Sequence, residues 1–269
     1  MASNPAFATK LKWWRSHRGL SQLSLAERAD VSQRHLSFLE LGRSSPSRDM
    51  VERLAAALDI PLRQQNALLL AAGLAPRWPE RELSVPDLAE VAQAIDYILG
   101  QQEPYPAVVV DRHWNLLKAN TGAVRMVEFL VGPIPPGTPV NLADSLVAPD
   151  VLRPHLVNWP EVVRHFIRSV EADAAADGLE ATAQLLARLV CYAGVREAMR
   201  DGGGAQPARP VLPMEFRKDG KTLRMFTTIA TLGTPQDITL QELRIECFFP
   251  MDEATRAAFQ GWGRESPRK

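Results

Sequence analysis

Between Ser32 and Arg43 the chain carries side chains suited to reading nucleic-acid bases. Gln33 and Arg34 are adjacent, His35 and Ser37 follow, and Phe38 comes next. An arginine can bond guanine through two donors, and a glutamine can bond adenine in the same two-point way. Ser32 is a favoured helix-capping type, and a helix N-terminus attracts phosphate through its free N–H groups. Taken alone, such a set is more often a solvated helix face. The elements that hold it must decide.

Leu25, Ala29, Val31, Leu36 and Leu39 fall where two helices meeting at a sharp turn would bury them. The turn sits at Asp30-Val31, and Gln33, Arg34 and Ser37 are left on the opposite face. This is the arrangement of a helix-turn-helix, whose second helix enters the major groove. More helices surround it. Phe7, Leu11 and Trp14 share one face of a first helix ending near Gly19, and Ser21 is placed to cap the second. The third runs from Ser32 to Leu41. Ser47 caps a fourth, in which Met50, Leu54, Ala57 and Leu58 should face inward, and Pro61 opens a fifth that ends at Gly73.

The string from Arg18 to Ile60 resembles the lambda-repressor-like, or XRE-type, helix-turn-helix family. It has the "LSQ" entry to the second helix, the "VS" turn, "LE-x-GR" after the third helix and "PS" before the fourth. The resemblance implies double-stranded DNA as partner. It places Gln22 on the DNA backbone, where it can also brace the recognition helix. It puts Ser32, Gln33, Arg34, Ser37 and Phe38 toward the groove and Arg43 on a phosphate, with His35 a backbone contact. Phe38 either meets a thymine methyl or turns inward as core.

Charge agrees in direction. The whole chain is neutral, yet residues 1–80 hold 11 Lys+Arg against 7 Asp+Glu, so the head is basic and the body mildly acidic.

After a linker, "RWPERELSVP", and one more helical stretch, "DLAEVAQAIDYILGQQ", the texture changes. "AVVV" reads as a strand, Asp111-Arg112 as a turn, and Trp114 to Lys118 as a second strand. A helical middle from Leu142 to Met199 is interrupted by Pro149, Pro154 and Pro160. "DGGGAQPARP" reads as a loop. Asp219-Gly220 marks a hairpin. "ITLQELRIECFFP" reads as a further strand with Leu243, Ile245, Cys247 and Phe249 on one face, and "DEATRAAFQGW" as a last helix or tail.

Segments across this region, with the head, resemble the MmyB-like transcription regulators. That resemblance implies a PAS-like body: a small sheet and helices around a ligand pocket, with a helical insertion. The expected architecture is therefore multidomain, an all-α five-helix head at 1–78, a linker and connecting helix at 79–103, and an α+β ligand-binding domain at 104–262. Candidate lining residues are Tyr105, Trp114, Phe129, Trp159, Arg164, Phe166, Arg224, Phe226 and Thr228. Such a lining suits a small apolar or amphiphilic effector, fatty-acid-like in character.

Chemistry is not expected. The chain shows no GxSxG, HExxH or P-loop. Cys191, in "RLVCYAGV", reads as a buried thiol in an apolar helix. The two cysteines form no framework and no metal spacing, so no metal or cofactor is expected. No run is long and apolar enough for a bilayer, and the first residues lack a signal peptide's apolar core. These readings point to a cytoplasmic, homodimeric, ligand-responsive regulator of transcription. Two rivals are a head used for protein contacts, as in antitoxin-like modules, and an enzyme tethered to DNA.

Overall fold

The computed structural model describes residues 4–200 and 210–264. The Gly-rich loop expected at "DGGGAQPARP" lies almost wholly outside them. Two compact units form: Met1–Arg81 with Thr234–Gln241, and Glu82–Gly233 with Glu242–Lys269.

The first unit holds five helices: α1 (Pro5–His17), α2 (Gln22–Arg28), α3 (Gln33–Glu40), α4 (Arg48–Ala57) and α5 (Leu62–Ala71). Asn4, Ser21, Ser32 and Ser47 each accept a backbone N–H at the start of the first four. Phe7, Leu11, Leu25, Leu36, Leu39 and Leu54 close the core completely. In α4 the buried face is Val51, Leu54 and Ala55, while Met50 and Ala57 are only partly covered. Leu54 and Leu58 face inward as expected, while Val51 and Ala55 are buried more fully than Met50 and Ala57.

Pro61 begins α5 without a side-chain cap. Its place is taken by a distant residue: the Leu62 N–H donates to Gln241 Oε1 at 2.8 Å. Ile238 N–H also donates to the Pro79 carbonyl at 2.9 Å. So a segment the sequence reading assigned to the body belongs to the head unit. Within it, Ile238–Glu242 is a short helix, α12, and not the start of a strand.

The second unit is built on a five-stranded antiparallel sheet, ordered β2-β1-β5-β4-β3. The strands are β1 (Ala107–Val110), β2 (Leu116–Ala119), β3 (Met214–Lys218), β4 (Lys221–Ala230) and β5 (Arg244–Pro250). Asp219 and Gly220 both take positive φ between Lys218 and Lys221, which pair. That is the two-residue hairpin turn the Asp-Gly pair favours. On one sheet face, Ile95 and Leu99 of α6 (Ala89–Gln101) pack with Ala107, Val109, Leu243 and Ile245.

Against the other face lie α7 (Thr121–Val131), α8 (Leu142–Val147), α9 (Trp159–Asp177), α10 (Glu180–Leu189), α11 (Val195–Arg200) and α13 (Glu253–Arg264). Pro160 does not interrupt the helical middle. It stands in the first turn of α9, where its missing N–H costs no helical bond. Cys191 also departs from expectation: it follows the end of α10 and is exposed.

Charged residues pin the sheet to its helices. Arg112 donates to Glu242 at 2.7 Å and also bonds Asp177, and all three side chains are almost fully buried. Asp177 further accepts from the Thr182 hydroxyl at 2.7 Å.

One close approach fixes α7. A Cβ at Gly122 would stand 2.8 Å from the Tyr105 carbonyl carbon and oxygen. Both are backbone atoms and cannot swing away. Alanine's helix preference is worth about 1 kcal/mol over glycine. Overpacking costs about 1–3 kcal/mol. Gly122→Ala is therefore expected to lower the thermal midpoint by several degrees, read by circular dichroism; an unchanged or raised midpoint would show that α7 can retreat.

Candidate DNA interface and effector cavity

In the head, α2 and α3 meet through Ala29 and Asp30, where Asp30 takes φ of 51°. The Val31 N–H returns to the Ala26 carbonyl at 2.9 Å. Ser32 then caps α3 by accepting from the His35 N–H at 3.2 Å. Gln33 and Arg34 are exposed in the first turn, and Ser37 and Phe38 are partly exposed in the next. The Arg34 guanidinium lies 5.5 Å from the centre of the Phe38 ring. Phe38 stays outside the head's buried core. Arg43 is exposed just beyond α3.

A buried carboxylate holds this geometry. Glu40, at the end of α3, accepts from Arg15 Nε at 2.6 Å and from its second nitrogen at 3.0 Å. It also accepts from Gln22 Nε2 at 2.7 Å. Arg15 donates once more, to the Leu20 carbonyl at 2.9 Å. The Glu40 hydrogen bond raises the Arg15 pKa above its ordinary value. Gln22 is thus tied to α3. Sequence reasoning quoted Glu40 inside its motif but gave it no role.

The body contains a cavity of about 750 Å³. Its floor is the sheet: Val108 of β1, Thr227 and Ile229 of β4, and Glu246 and Phe248 of β5. Ala123 and Met126 of α7 form one wall, and Val162, His165 and Phe166 of α9 another. Trp114 closes one side, in a backbone conformation with φ of 67° that a bulky residue rarely adopts. Its buried indole N–H has no hydrogen-bond partner.

Of the nine residues expected at the pocket, Trp114 and Phe166 line this cavity. The other seven do not. Arg224, Phe226 and Thr228 alternate with Met225, Thr227 and Ile229 along β4, so they point to the opposite sheet face. Phe226 stacks there on Phe249, with centroids 5.4 Å apart, and Arg224 lies beside Glu215 at 3.7 Å. Trp159 is packed under Arg153 and donates to the Leu146 carbonyl at 2.8 Å. Arg164 donates to the Ala198 carbonyl at 2.8 Å. Tyr105 packs on Phe259, and Phe129 on Trp262. Asn120 caps α7 by accepting from the Ala123 N–H at 2.9 Å.

Glu246 was missed. It alternates with Leu243, Ile245, Cys247 and Phe249, the face that reads as core, and so reads as a solvent-facing residue. Burial pushes the Glu246 carboxyl up to about 7, against a hydrogen bond from Thr227 and the charge of Arg244. Glu246 keeps some accessible surface because it faces the cavity. Among the described residues, no group of three His, Cys, Asp or Glu is placed to hold a metal ion. No described helix is long and apolar enough to cross a membrane.

Two family models match the chain. The helix-turn-helix family model matches residues 11–65. The model of the MmyB-like transcription regulator ligand binding domain matches residues 91–261. No curated protein matches. One solved structure, "Structure of an RNA-binding Light-Oxygen-Voltage Receptor", aligns at 10% identity and a TM-score of 0.31. The alignment covers 94% of this chain but only 60% of that one, and so weak a likeness carries no argument. With a helix-turn-helix head joined to a ligand-binding domain that spans most of its length, the chain belongs to the MmyB-like transcription regulators, DNA-binding proteins that respond to a ligand.

Proposed function

We propose that this regulator acts as a homodimer whose two α3 helices read two half-sites of a double-stranded operator, while the body cavity binds a small apolar or amphiphilic effector. Gln33 and Arg34 read base edges, with Ser37 and Phe38 beside them. Ser32, His35, Gln22 and Arg43 contact the phosphate backbone. An arginine resting on an aromatic ring is partly pre-arranged, so Phe38 helps present Arg34. The protein regulates by binding and not by chemistry: both matched families are regulatory.

The observation that carries the reading is the cavity and the course of the chain around it. β4 and β5 line the cavity, and the segment joining them, Thr234–Gln241, is held in the head unit by hydrogen bonds to Leu62 and Pro79. Any effector that shifts those strands pulls on a segment that caps α5. A ligand moves such an equilibrium only by its differential affinity for the two arrangements.

Native mass spectrometry of the full chain purified from cells, before and after denaturation, tests the effector. A dimer carrying a small apolar mass that is lost on denaturation is expected. A monomer would overturn the paired half-sites, and an empty protein that takes up no added alkyl compound would overturn the effector role. In the head, Arg34→Ala is expected to weaken specific binding by about 1–3 kcal/mol and to relax the preference at one position of a selected operator. An equal loss on every DNA sequence would make Arg34 a phosphate contact instead.

A further inference from the structure

The exposed face of α3 carries one apolar ring among polar side chains. Arg15, Arg48 and Arg53 of the head each face a carboxylate. Arg34 rests on Phe38, one helical turn on, with its guanidinium carbon 5.5 Å from the ring centre. Stacking uses the flat face of a guanidinium and leaves its N–H edge for a two-point partner. Phe38 itself is neither in the head's buried core nor among the apolar side chains packed against it. Leu36 and Leu39 of the same helix are fully buried, while Phe38 keeps part of its surface exposed. An apolar ring in that place leaves water only when something docks on α3.

In the major groove a phenylalanine meets the C5-methyl group of thymine, and guanine is the two-point partner of an arginine. The spacing limits how far apart these two features can lie. Bases stack about 3.4 Å apart along a strand. Contact points 5.5 Å apart therefore span one base step and fall short of two. Resting on the reading of α3 as the recognition helix, we propose that Arg34 and Phe38 act as one unit that reads a guanine and a pyrimidine C5-methyl group on the neighbouring base pair. The unit asks for the methyl group and not for thymine as such. A phenyl ring has no hydrogen bond to give to the thymine O4 or to take from the cytosine N4. A 5-methylcytosine in that place meets the same ring, so methylating a cytosine there strengthens binding.

Affinity of the full-length protein for operators enriched from random duplex DNA tests this. Each half-site is expected to hold a guanine, the one whose preference Arg34→Ala relaxes, with thymine on the adjacent base pair. Replacing that thymine by deoxyuridine removes one methyl group and changes nothing else. The wild type should lose about fourfold in affinity, the worth of burying one methyl group. Phe38→Ala should bind the two duplexes equally. With cytosine at the position, methylation at C5 should strengthen wild-type binding by a similar factor. Operators without the guanine–thymine pair, or equal wild-type binding of the thymine and deoxyuridine duplexes, would overturn the methyl readout while leaving α3 as the reader. Enrichment of no sequence at all would overturn both. Should Phe38→Ala not fold, the base analogues on the wild type still decide.

Discussion

The body depends on one strand that must satisfy two environments. β5 is central in the sheet, hydrogen-bonded to a neighbour on each edge. Its Ile245, with Leu243 just before the strand, locks α6 onto one face. Its even-numbered residues Glu246 and Phe248 form part of the cavity floor on the other. Because side chains alternate strictly, a slip of one residue would exchange the two sets and put the carboxylate in the α6 core. The pairings on either side, Val108 with Glu246 and Ile229 with Glu246, prevent the slip. Just before the strand, Glu242 is held by Arg112, and Gln241 caps α5 of the head unit. One stretch of about ten residues thus joins the sheet core, the cavity floor and the head unit through the continuity of the chain.

The head is organised by a smaller version of the same logic. Glu40 is nearly inaccessible and would be costly alone, but Arg15 and Gln22 satisfy it from α1 and α2. Removing Glu40 would take from Arg15 and Gln22 the acceptor they share. The network fixes the angle at which α3 leaves the core, and with it the exposure of Gln33 and Arg34. The buried carboxylate positions α3, and on its exposed face Arg34 rests on the Phe38 ring.

The head was legible because its signals are local. Serine caps, a positive-φ turn residue and apolar spacing at 3.6 residues all act within a few positions, so the five helices and the exposed face of α3 follow from short strings. In α4 Leu54 and Leu58 are inward as expected, but Val51 and Ala55 are buried in preference to Met50 and Ala57, because "MVERLAAALDI" offers apolar residues at overlapping spacings. The cavity was much less legible. Its walls come from strands and helices more than a hundred residues apart, and period-two alternation cannot say which face is inside when both faces are. That is why the sequence points to Phe226 where Thr227 lines the cavity, and why Glu246 reads as a solvated residue. Arg164, expected as a ligand anchor, is used instead to hold a backbone carbonyl of α11. Long polar side chains of a buried layer are often consumed in this way, and no local pattern marks them.

The central claim is that occupancy of the body cavity changes the head's affinity for DNA. The most direct measurement is the affinity for an operator selected from random DNA, determined on protein stripped of its small molecule and again after the extracted molecule is restored. Allosteric coupling of ordinary size predicts a change of roughly fivefold or more. An affinity that stays the same with the cavity demonstrably filled would contradict it.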